Sequence, residues 1–410
     1  MQINSHCAKT SKKKLKIVHD DDMKLRAEAI HNTDKGKHGS VLAAPDSRKK
    51  QQLRLEKEQR RADARHARLL DDSSLAAILH QQSLVRVQAI WKVMQQRLGA
   101  LSANKSIPQP NELETESGKT VGRDPLRQFY KRAYRGTMTA DDVTPAVAHA
   151  FFLDKFETRA DEACGALLCL WERAEKASNR EGGDSTVSRA WHILCGEQRR
   201  DKSTVRVLSI GGGPGNDLAG FLVFNALVRR ATSVHATVYD FSSSWQEIVE
   251  EGVACFSDSE LAAADPPTVA LVDSRNDSSD SRNAAPTAVA PAVIVPAIAI
   301  NFALADLRAP IEEPVNQDVL QAAPEADFFL FSYVARESAA ANYPLLGELL
   351  RRAKKGSVFI FLDPSILDVN AVTAVVEAVL PEQNYAKFPV GSHRLYPFIG
   401  VAFVVLCSAK

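Results

Sequence analysis

The chain has 410 residues, of which 45% are hydrophobic and 25% are charged, enough for one large globular domain with extra segments or for two ordinary domains. Its net charge of +1 is unevenly spread: residues 1–70 hold 18 basic against 9 acidic side chains, and residues 71–410 hold 33 against 41. The six cysteines lack the dense spacing of a secreted disulfide scaffold, and no uncharged run of about 18 apolar residues could cross a membrane. We therefore expect an intracellular protein, nuclear, nucleolar or cytoplasmic, with no membrane segment and no metal site.

Residues 1–72 form the first predicted region, a basic arm. They contain too few apolar side chains to offset the entropy of ordering, so we predict disorder, with a transient exposed helix over residues 48–70. A basic arm on a mildly acidic body indicates a polyanionic partner such as RNA, or a nuclear import signal. A solvated tail with neither role fits the composition equally well.

Residues 73–118 are predicted to form an amphipathic helix and a polar linker. Apolar residues recur at helical spacing over residues 73–101, so this helix is expected to pack on the body of the chain or on a protein partner. The linker contains Pro108 and Pro110. An all-helical prefix, residues 119–203, follows it. Helices in this prefix are predicted at 124–134, 140–156 and 161–177.

From residue 204 to residue 410, short β-branched runs alternate with helical patterns, which is typical of a doubly wound α/β sheet. Helices are expected between the first five strands, including 216–230 and 343–355. A low-complexity insertion, rich in Ala, Pro, Ser and Asp, is predicted at 262–296 and expected to be disordered. The seven predicted strands cover residues 205–210, 234–239, 298–302, 327–332, 357–362, 385–389 and 399–406.

The first predicted strand runs directly into a glycine-rich loop. The loop consists of Gly211, Gly212, Gly213, Pro214 and Gly215. Residues without side chains let a ligand lie against bare backbone, and the N-terminus of the following helix suits a polar or anionic group. A dinucleotide fingerprint, G-x-G-x-x-G, would need glycine where Asn216 stands. The loop indicates a nucleotide cofactor, against the alternative of a tight turn without a ligand.

The G-x-G-x-G spacing resembles the first motif of the class I S-adenosylmethionine-dependent methyltransferases. The resemblance extends to a C-terminal β-hairpin, so it implies a seven-stranded sheet with an antiparallel last strand and S-adenosylmethionine as cofactor. It also implies that Gly211, Gly213 and Gly215 wrap the methionine part of the cofactor. Ser209 stands where the family commonly has an acid. Asp217 either supplies a carboxylate near the cofactor's amino group or caps the helix that it begins.

Acidic residues follow the second and third predicted strands. Asp240 ends the second strand, where a carboxylate in a doubly wound sheet accepts hydrogen bonds from ribose hydroxyls. The resemblance implies that Asp306 takes the adenine amino group and that the backbone of Leu307 reads the ring. Phe241 or Trp245 either covers the adenine face or packs in the core.

The end of the fourth strand is where the resemblance places the methyl acceptor. Glu337 is the candidate general base, with Tyr333 and Ser332 as orienting groups, and the alternative for Glu337 is a helix cap. Upstream, Tyr130 and Tyr134 lie four apart on one helical face, where they either roof the cofactor pocket or pack in the core.

The sequence thus predicts S-adenosylmethionine-dependent methyl transfer, with RNA, ribosomal RNA included, favoured as the acceptor because of the basic arm. A protein or small-molecule acceptor stays open. Ser209 and the lack of an Asp/Asn-Pro-Pro-aromatic motif leave a non-catalytic scaffold of the same fold as a second hypothesis. An NAD(P)-dependent oxidoreductase is the third, disfavoured by the glycine spacing and the terminal hairpin.

Overall fold

The computed structural model describes eight stretches of the chain: residues 75–105, 125–178, 204–229, 233–257, 297–335, 343–363, 365–391 and 399–407. The predicted basic arm and the predicted low-complexity insertion lie outside these residues, and so does Glu337. Among the helices within the eight stretches, none is long and apolar enough to cross a membrane.

Seven strands of the described chain form one sheet. They are β1 (Thr204–Ile210), β2 (Ser233–Asp240), β3 (Ala297–Leu304), β4 (Phe328–Ser332), β5 (Val358–Asp363), β6 (Tyr385–Gly391) and β7 (Ile399–Val405). Their order across the sheet is β3-β2-β1-β4-β5-β7-β6. The first five strands are parallel, and β7 runs antiparallel to both β5 and β6. The predicted fold class, a doubly wound seven-stranded sheet with an antiparallel last strand, is confirmed.

Helices cover both faces of this sheet. They are α1 (Leu75–Lys105), α2 (Pro125–Arg135), α3 (Pro145–Ser178), α4 (Asn216–Phe224), α5 (Gln246–Ser257), α6 (Pro314–Ala322), α7 (Pro344–Arg352) and α8 (Ile366–Val379). The first five pack on one face and the last three on the other, so each face has its own hydrophobic core.

The two central strands β4 and β5 are buried along their whole length, because helices cover both of their faces. Their parallel register sets Phe329 opposite Phe359 and Phe331 opposite Phe361. The rings of these pairs stack with centroids 4.2 Å and 4.6 Å apart. These contacts fix the centre of the sheet, from whose carboxyl edge the candidate site extends.

The helical prefix differs from its prediction in one respect. Two separate helices were expected over 140–177, whereas α3 is continuous from Pro145 to Ser178. The residues between the predicted helices, 157–160, read ETRA and contain no glycine or proline that would end a helix. The buried side of α1, which includes Val87, Ile90 and Met94, shares the core with α3.

Two further helices depart from the expected pattern. The predicted helix 216–230 ends as α-helix at Phe224 and continues as a π-helical turn over Asn225–Arg229. Helix α8 was not predicted, since helices were expected only between the first five strands. Asp363 accepts the Ser365 amide hydrogen at 3.0 Å, and the Ser365 hydroxyl accepts that of Asp368 at 3.4 Å. The turn at the strand end is therefore also the cap of a helix.

Candidate functional site

The glycine loop between β1 and α4 is held against the neighbouring strand. Gly211 and Gly212 donate their amide hydrogens to the Tyr239 carbonyl oxygen of β2, at 2.7 and 3.3 Å. Gly211, Gly213 and Gly215 have φ values of 64°, 51° and 79°, in the left-handed region that glycine adopts without steric cost. The sharp reversal after β1 therefore depends on glycine at these three positions.

Gly212 has no room for a side chain. A Cβ atom there would overlap the Ser209 hydroxyl and would lie 3.0 Å from Cγ1 of Val238. At Gly213, by contrast, the nearest atoms to a Cβ would belong to the Trp245 ring, at 3.8 Å. The loop backbone thus lies directly on the ends of β1 and β2.

Asp240, at the end of β2, is a buried carboxylate bonded to the loop. Its Oδ2 accepts the Gly213 amide hydrogen at 3.0 Å, and its Oδ1 accepts that of Ser242 at 3.1 Å. Burial raises the pKa of Asp240 to about 7; the backbone hydrogen bonds act in the opposite direction, and the Asp306 charge adds to the rise. Each carboxylate oxygen has a second lone pair, so Asp240 can still accept hydrogen bonds from a diol.

A second buried carboxylate, Asp217, lies at the end of β1 although it belongs to the first turn of α4. Its Oδ1 accepts hydrogen bonds from the Ser209 hydroxyl at 2.7 Å and from the Leu218 amide at 2.8 Å. Burial raises the pKa of Asp217 to about 6, against the lowering effect of the Ser209 and Ser332 hydroxyls. Ser209 thus holds a carboxylate at the strand end where the resemblance leads us to expect an acid.

The other oxygen of Asp217, Oδ2, has no hydrogen-bond partner among the described residues, although Asp217 is only 1% exposed. The Ser209 hydroxyl of β1 donates to this carboxylate, and the Ser332 hydroxyl of β4 lowers its pKa. From β1 and β4 the chain continues toward opposite edges of the sheet. Ligands of doubly wound sheets bind at such a switch point. Because an unpaired buried oxygen is costly, a cationic donor is expected there. The ammonium group of S-adenosylmethionine would meet this need, so the residues present fit the cofactor.

The two aromatic residues that follow β2 have different surroundings. Trp245 is 3% exposed and packs edge-on against Phe151 of α3, with ring centroids 5.3 Å apart. Phe241 is half-buried, and the Arg308 guanidinium lies 4.8 Å from its ring centroid. Trp245 therefore belongs to the core, and Phe241 keeps part of its surface accessible to a ligand.

Asp306, after β3, is paired with Arg308. Its Oδ1 accepts the Arg308 backbone amide and Nε, both at 2.9 Å, and its Oδ2 accepts Nη2 at 3.0 Å. Arg308 also donates to the Met138 carbonyl oxygen, in the turn after α2. Adenine recognition by Asp306 would therefore require a ligand that shares the carboxylate with Arg308. The Leu307 side chain packs with the core on the face of the sheet that α6, α7 and α8 cover. It lies beside an apolar hollow that Phe331 also lines.

Tyr333, the first residue after β4, has a strained backbone and a fixed side chain. Its φ is 64°, uncommon for a residue other than glycine, and its amide donates to the Leu362 carbonyl oxygen at 2.7 Å. Its hydroxyl donates to the Glu162 carboxylate of α3. Burial raises the pKa of Tyr333 well above its ordinary value, and the Glu162 charge adds to the rise. The phenol is therefore protonated at neutral pH.

Glu162 and Arg159 are site residues that the sequence did not reveal. Arg159 lies three positions before Glu162 on α3, and its guanidinium is 4.0 Å from the Tyr333 ring centroid. The Tyr333–Glu162 contact joins residues 171 positions apart, and helical periodicity carries no information about which strand end α3 will cover. Glu337 lies outside the described residues, so its role as base or as cap stays a prediction.

Tyr130 lies at the packing interface of α2 and α3. Its hydroxyl donates to Oδ2 of Asp154 at 2.6 Å, and its ring meets those of Phe129 and Phe151 with centroids 5.6 and 6.0 Å away. These contacts favour packing, the second of the two roles considered for it. The side chain of Tyr134 lies outside the described part of the chain.

No protein-family model and no curated protein matches the sequence. Solved structures similar to this chain include an rRNA methylase from Streptococcus thermophilus, with 13% identity, a TM-score of 0.29, and coverage of 50% of this chain and 88% of that one. An O-methyltransferase from Bacillus cereus in complex with SAH has 10% identity, a TM-score of 0.29, and coverage of 59% and 90%. The DszA carbon methyltransferase has 11% identity, a TM-score of 0.30, and coverage of 87% and 93%. At such values the likeness assigns neither an activity nor an acceptor to this chain.

Proposed function

We propose that the protein is a methyltransferase that uses S-adenosylmethionine as its methyl donor. The observation that carries the proposal is the buried Asp217 carboxylate, held by Ser209, whose Oδ2 lacks a partner at the switch point of the sheet. The glycine loop and Asp240 lie on the adjoining strand ends. The sheet order, with its antiparallel β7, fits the same proposal.

S-adenosylmethionine would supply a sulfonium methyl group, which an acceptor takes by in-line displacement. Asp217 would bind the ammonium group and Asp240 the ribose hydroxyls, while the glycine loop, whose amides donate within the protein, would lie against the methionine part of the cofactor. Such a reaction needs mainly alignment of the acceptor and exclusion of water. Tyr333 and Glu162 would orient the acceptor at the end of β4.

Binding of S-adenosylhomocysteine by the full-length protein, measured by calorimetry between about pH 5 and pH 8, tests this proposal. Affinity is expected to rise with pH, because burial raises the pKa of Asp217 to about 6 and that of Asp240 to about 7 and both must ionise to bind. Below the pKa of one required carboxylate, affinity falls about tenfold per pH unit. Asp217→Asn is expected to weaken binding about tenfold at pH 8 and to remove the part of the pH dependence centred near its pKa.

Asp141→Asn is the matched control, since Asp141 is an exposed carboxylate in a short 3₁₀ helix between α2 and α3. It should change neither the affinity nor its pH dependence. Binding of NAD in place of S-adenosylhomocysteine would support the oxidoreductase hypothesis, and binding of neither would support a scaffold. An affinity for S-adenosylhomocysteine that falls with rising pH would contradict the assigned roles of both carboxylates.

We further propose RNA as the acceptor, supported by the net charge of +9 on residues 1–70. Phosphate contacts by such an arm release counterions, so binding to single-stranded RNA should weaken steeply with salt. Replacing Lys12, Lys13, Lys14 and Lys16 by Gln in the full-length chain is expected to reduce the slope of log affinity against log salt by about 0.7 per lost contact. Equal slopes for the two proteins would contradict RNA binding through these lysines. Tritiated methyl transfer into total RNA and into total protein would then identify the acceptor class.

A further inference from the structure

Arg159 lies between two aromatic rings at the end of the sheet where Tyr333 follows β4. Its guanidinium carbon is 4.0 Å from the ring centroid of Tyr333 and 4.8 Å from that of Phe151. The side chain is half-buried and makes no hydrogen bond or ion pair with any residue in the described stretches. Within these stretches Arg159 therefore contacts two aromatic rings, and its N–H groups donate to no described residue.

An arginine in this position is suited to bind an anion. The rings hold the guanidinium in place by cation–π contact, while its five N–H groups project from the edge in a fork that matches a carboxylate or a phosphate. A pair formed at a partly desolvated site is stronger than the same pair in water. No nitrogen of Arg159 is among the fully buried, unpartnered polar atoms of the described residues, so its N–H groups are open to solvent and to an approaching anion.

The carboxylate nearest along α3 does not pair with Arg159. Glu162 accepts the Tyr333 hydroxyl, and Asp363 of β5 acts on Tyr333 through its charge. Arg159 therefore lies next to the groups that hold Tyr333, and among the described residues it forms no ion pair with Glu162 or Asp363. A ligand oxyanion can approach its edge while Glu162 stays bonded to Tyr333.

We propose that Arg159 binds an oxyanion of the methyl acceptor, a carboxylate or a phosphate, and thereby fixes the acceptor beside Tyr333. The inference rests on the proposed methyl transfer and deepens it by naming the chemistry of the acceptor. The oxyanion has two sources to distinguish, the acid group of a small molecule and the phosphate of an RNA strand. Only the second agrees with the acceptor proposed from the basic arm.

The test compares full-length wild-type protein with Arg159→Gln and Arg159→Lys, each saturated with S-adenosylhomocysteine. The probes are benzoate, inorganic phosphate and oligouridylate, titrated by calorimetry. Arg173→Gln is the control, because Arg173 is a half-buried arginine on the same helix, 14 positions away. Arg159→Gln is expected to lower the affinity for at least one probe tenfold or more, which is the loss that accompanies removal of a charge-assisted hydrogen bond. Arg159→Lys should recover part of that loss at most, since lysine lacks the planar fork.

Each outcome decides between the sources or rejects the proposal. A loss of affinity confined to benzoate or to inorganic phosphate indicates a small acidic acceptor, and a loss that includes oligouridylate indicates RNA. Affinities unchanged by both Arg159 variants, or weakened equally by Arg173→Gln, overturn the inference. Normal S-adenosylhomocysteine binding by the variants shows that they are folded. It also shows that the proposed cofactor binding does not depend on whether Arg159 binds an oxyanion. If the wild type itself binds no S-adenosylhomocysteine, the proposed function fails first.

Discussion

Gly212→Ala is expected to weaken S-adenosylhomocysteine binding about a hundredfold, although it adds a single methyl group. A Cβ at this position would overlap the Ser209 hydroxyl and press on Val238. Either the loop moves away from β1 and β2 or the Ser209 hydroxyl leaves Asp217, to which it donates at 2.7 Å. Both changes misplace groups assigned to the cofactor. Loss of one charge-assisted contact together with the loop alignment should cost about 3 kcal/mol of binding free energy. Calorimetry at pH 8 would measure the loss.

Two comparisons separate the overlap at Gly212 from a general sensitivity of the loop. Gly215→Ala introduces backbone strain at φ 79° but no collision, because the nearest atoms to its Cβ would be 3.7 and 3.9 Å away. It should therefore cost less than Gly212→Ala. The double variant with Ser209→Ala should bind no more weakly than Gly212→Ala alone, since the same hydroxyl is lost in both. Additive losses in that double variant would contradict the overlap argument.

The sheet could be predicted from the sequence because its signals are local. Each predicted strand is a short apolar or β-branched run whose two ends lie within two residues of those of an observed strand, and the residue number agrees exactly at the ends of β1 and β4 and at the starts of β6 and β7. The glycine loop is equally local, since its left-handed residues are glycines in the sequence itself. Fold class therefore followed from patterns that span only a few residues.

The contacts between the prefix helices and the strand ends could not be predicted in the same way. Arg308 reaches the Met138 carbonyl oxygen across 170 positions, and Tyr333 reaches Glu162 across 171. These contacts depend on how the prefix helices lie over the sheet, which no periodicity encodes. The carboxylate that Ser209 holds is an intermediate case. The sequence offered Asp217 as a substitute acid. Only the structure shows that its side chain is hydrogen-bonded to that of Ser209, eight positions earlier.

Gly220→Ala is expected to destabilise the protein by about 2 kcal/mol, opposite in sign to the gain of about 1 kcal/mol that alanine normally brings to a helix. Gly220 lies in α4 where α3 crosses it. A Cβ there would lie 2.8 Å from both the Ala163 Cβ and the Cys164 amide nitrogen, and closer still to the Ala160 carbonyl oxygen. Backbone atoms cannot turn aside as a side chain can, so the two helices must separate. Urea unfolding of the full-length protein would measure the change in the free energy of unfolding.

Gly347→Ala is the matched control, a buried glycine in α7 whose Cβ would meet only side-chain atoms of Arg351 and Val379, at 3.8 Å. It should be neutral or stabilising by up to about 1 kcal/mol. Because α3 also carries Arg159 and Glu162, Gly220→Ala should weaken the acceptor probes more than it weakens S-adenosylhomocysteine. A gain in stability equal to that of Gly347→Ala would show that α3 and α4 do not meet at Gly220. The helix that brings Arg159 to Tyr333 would then lack the contact that positions it.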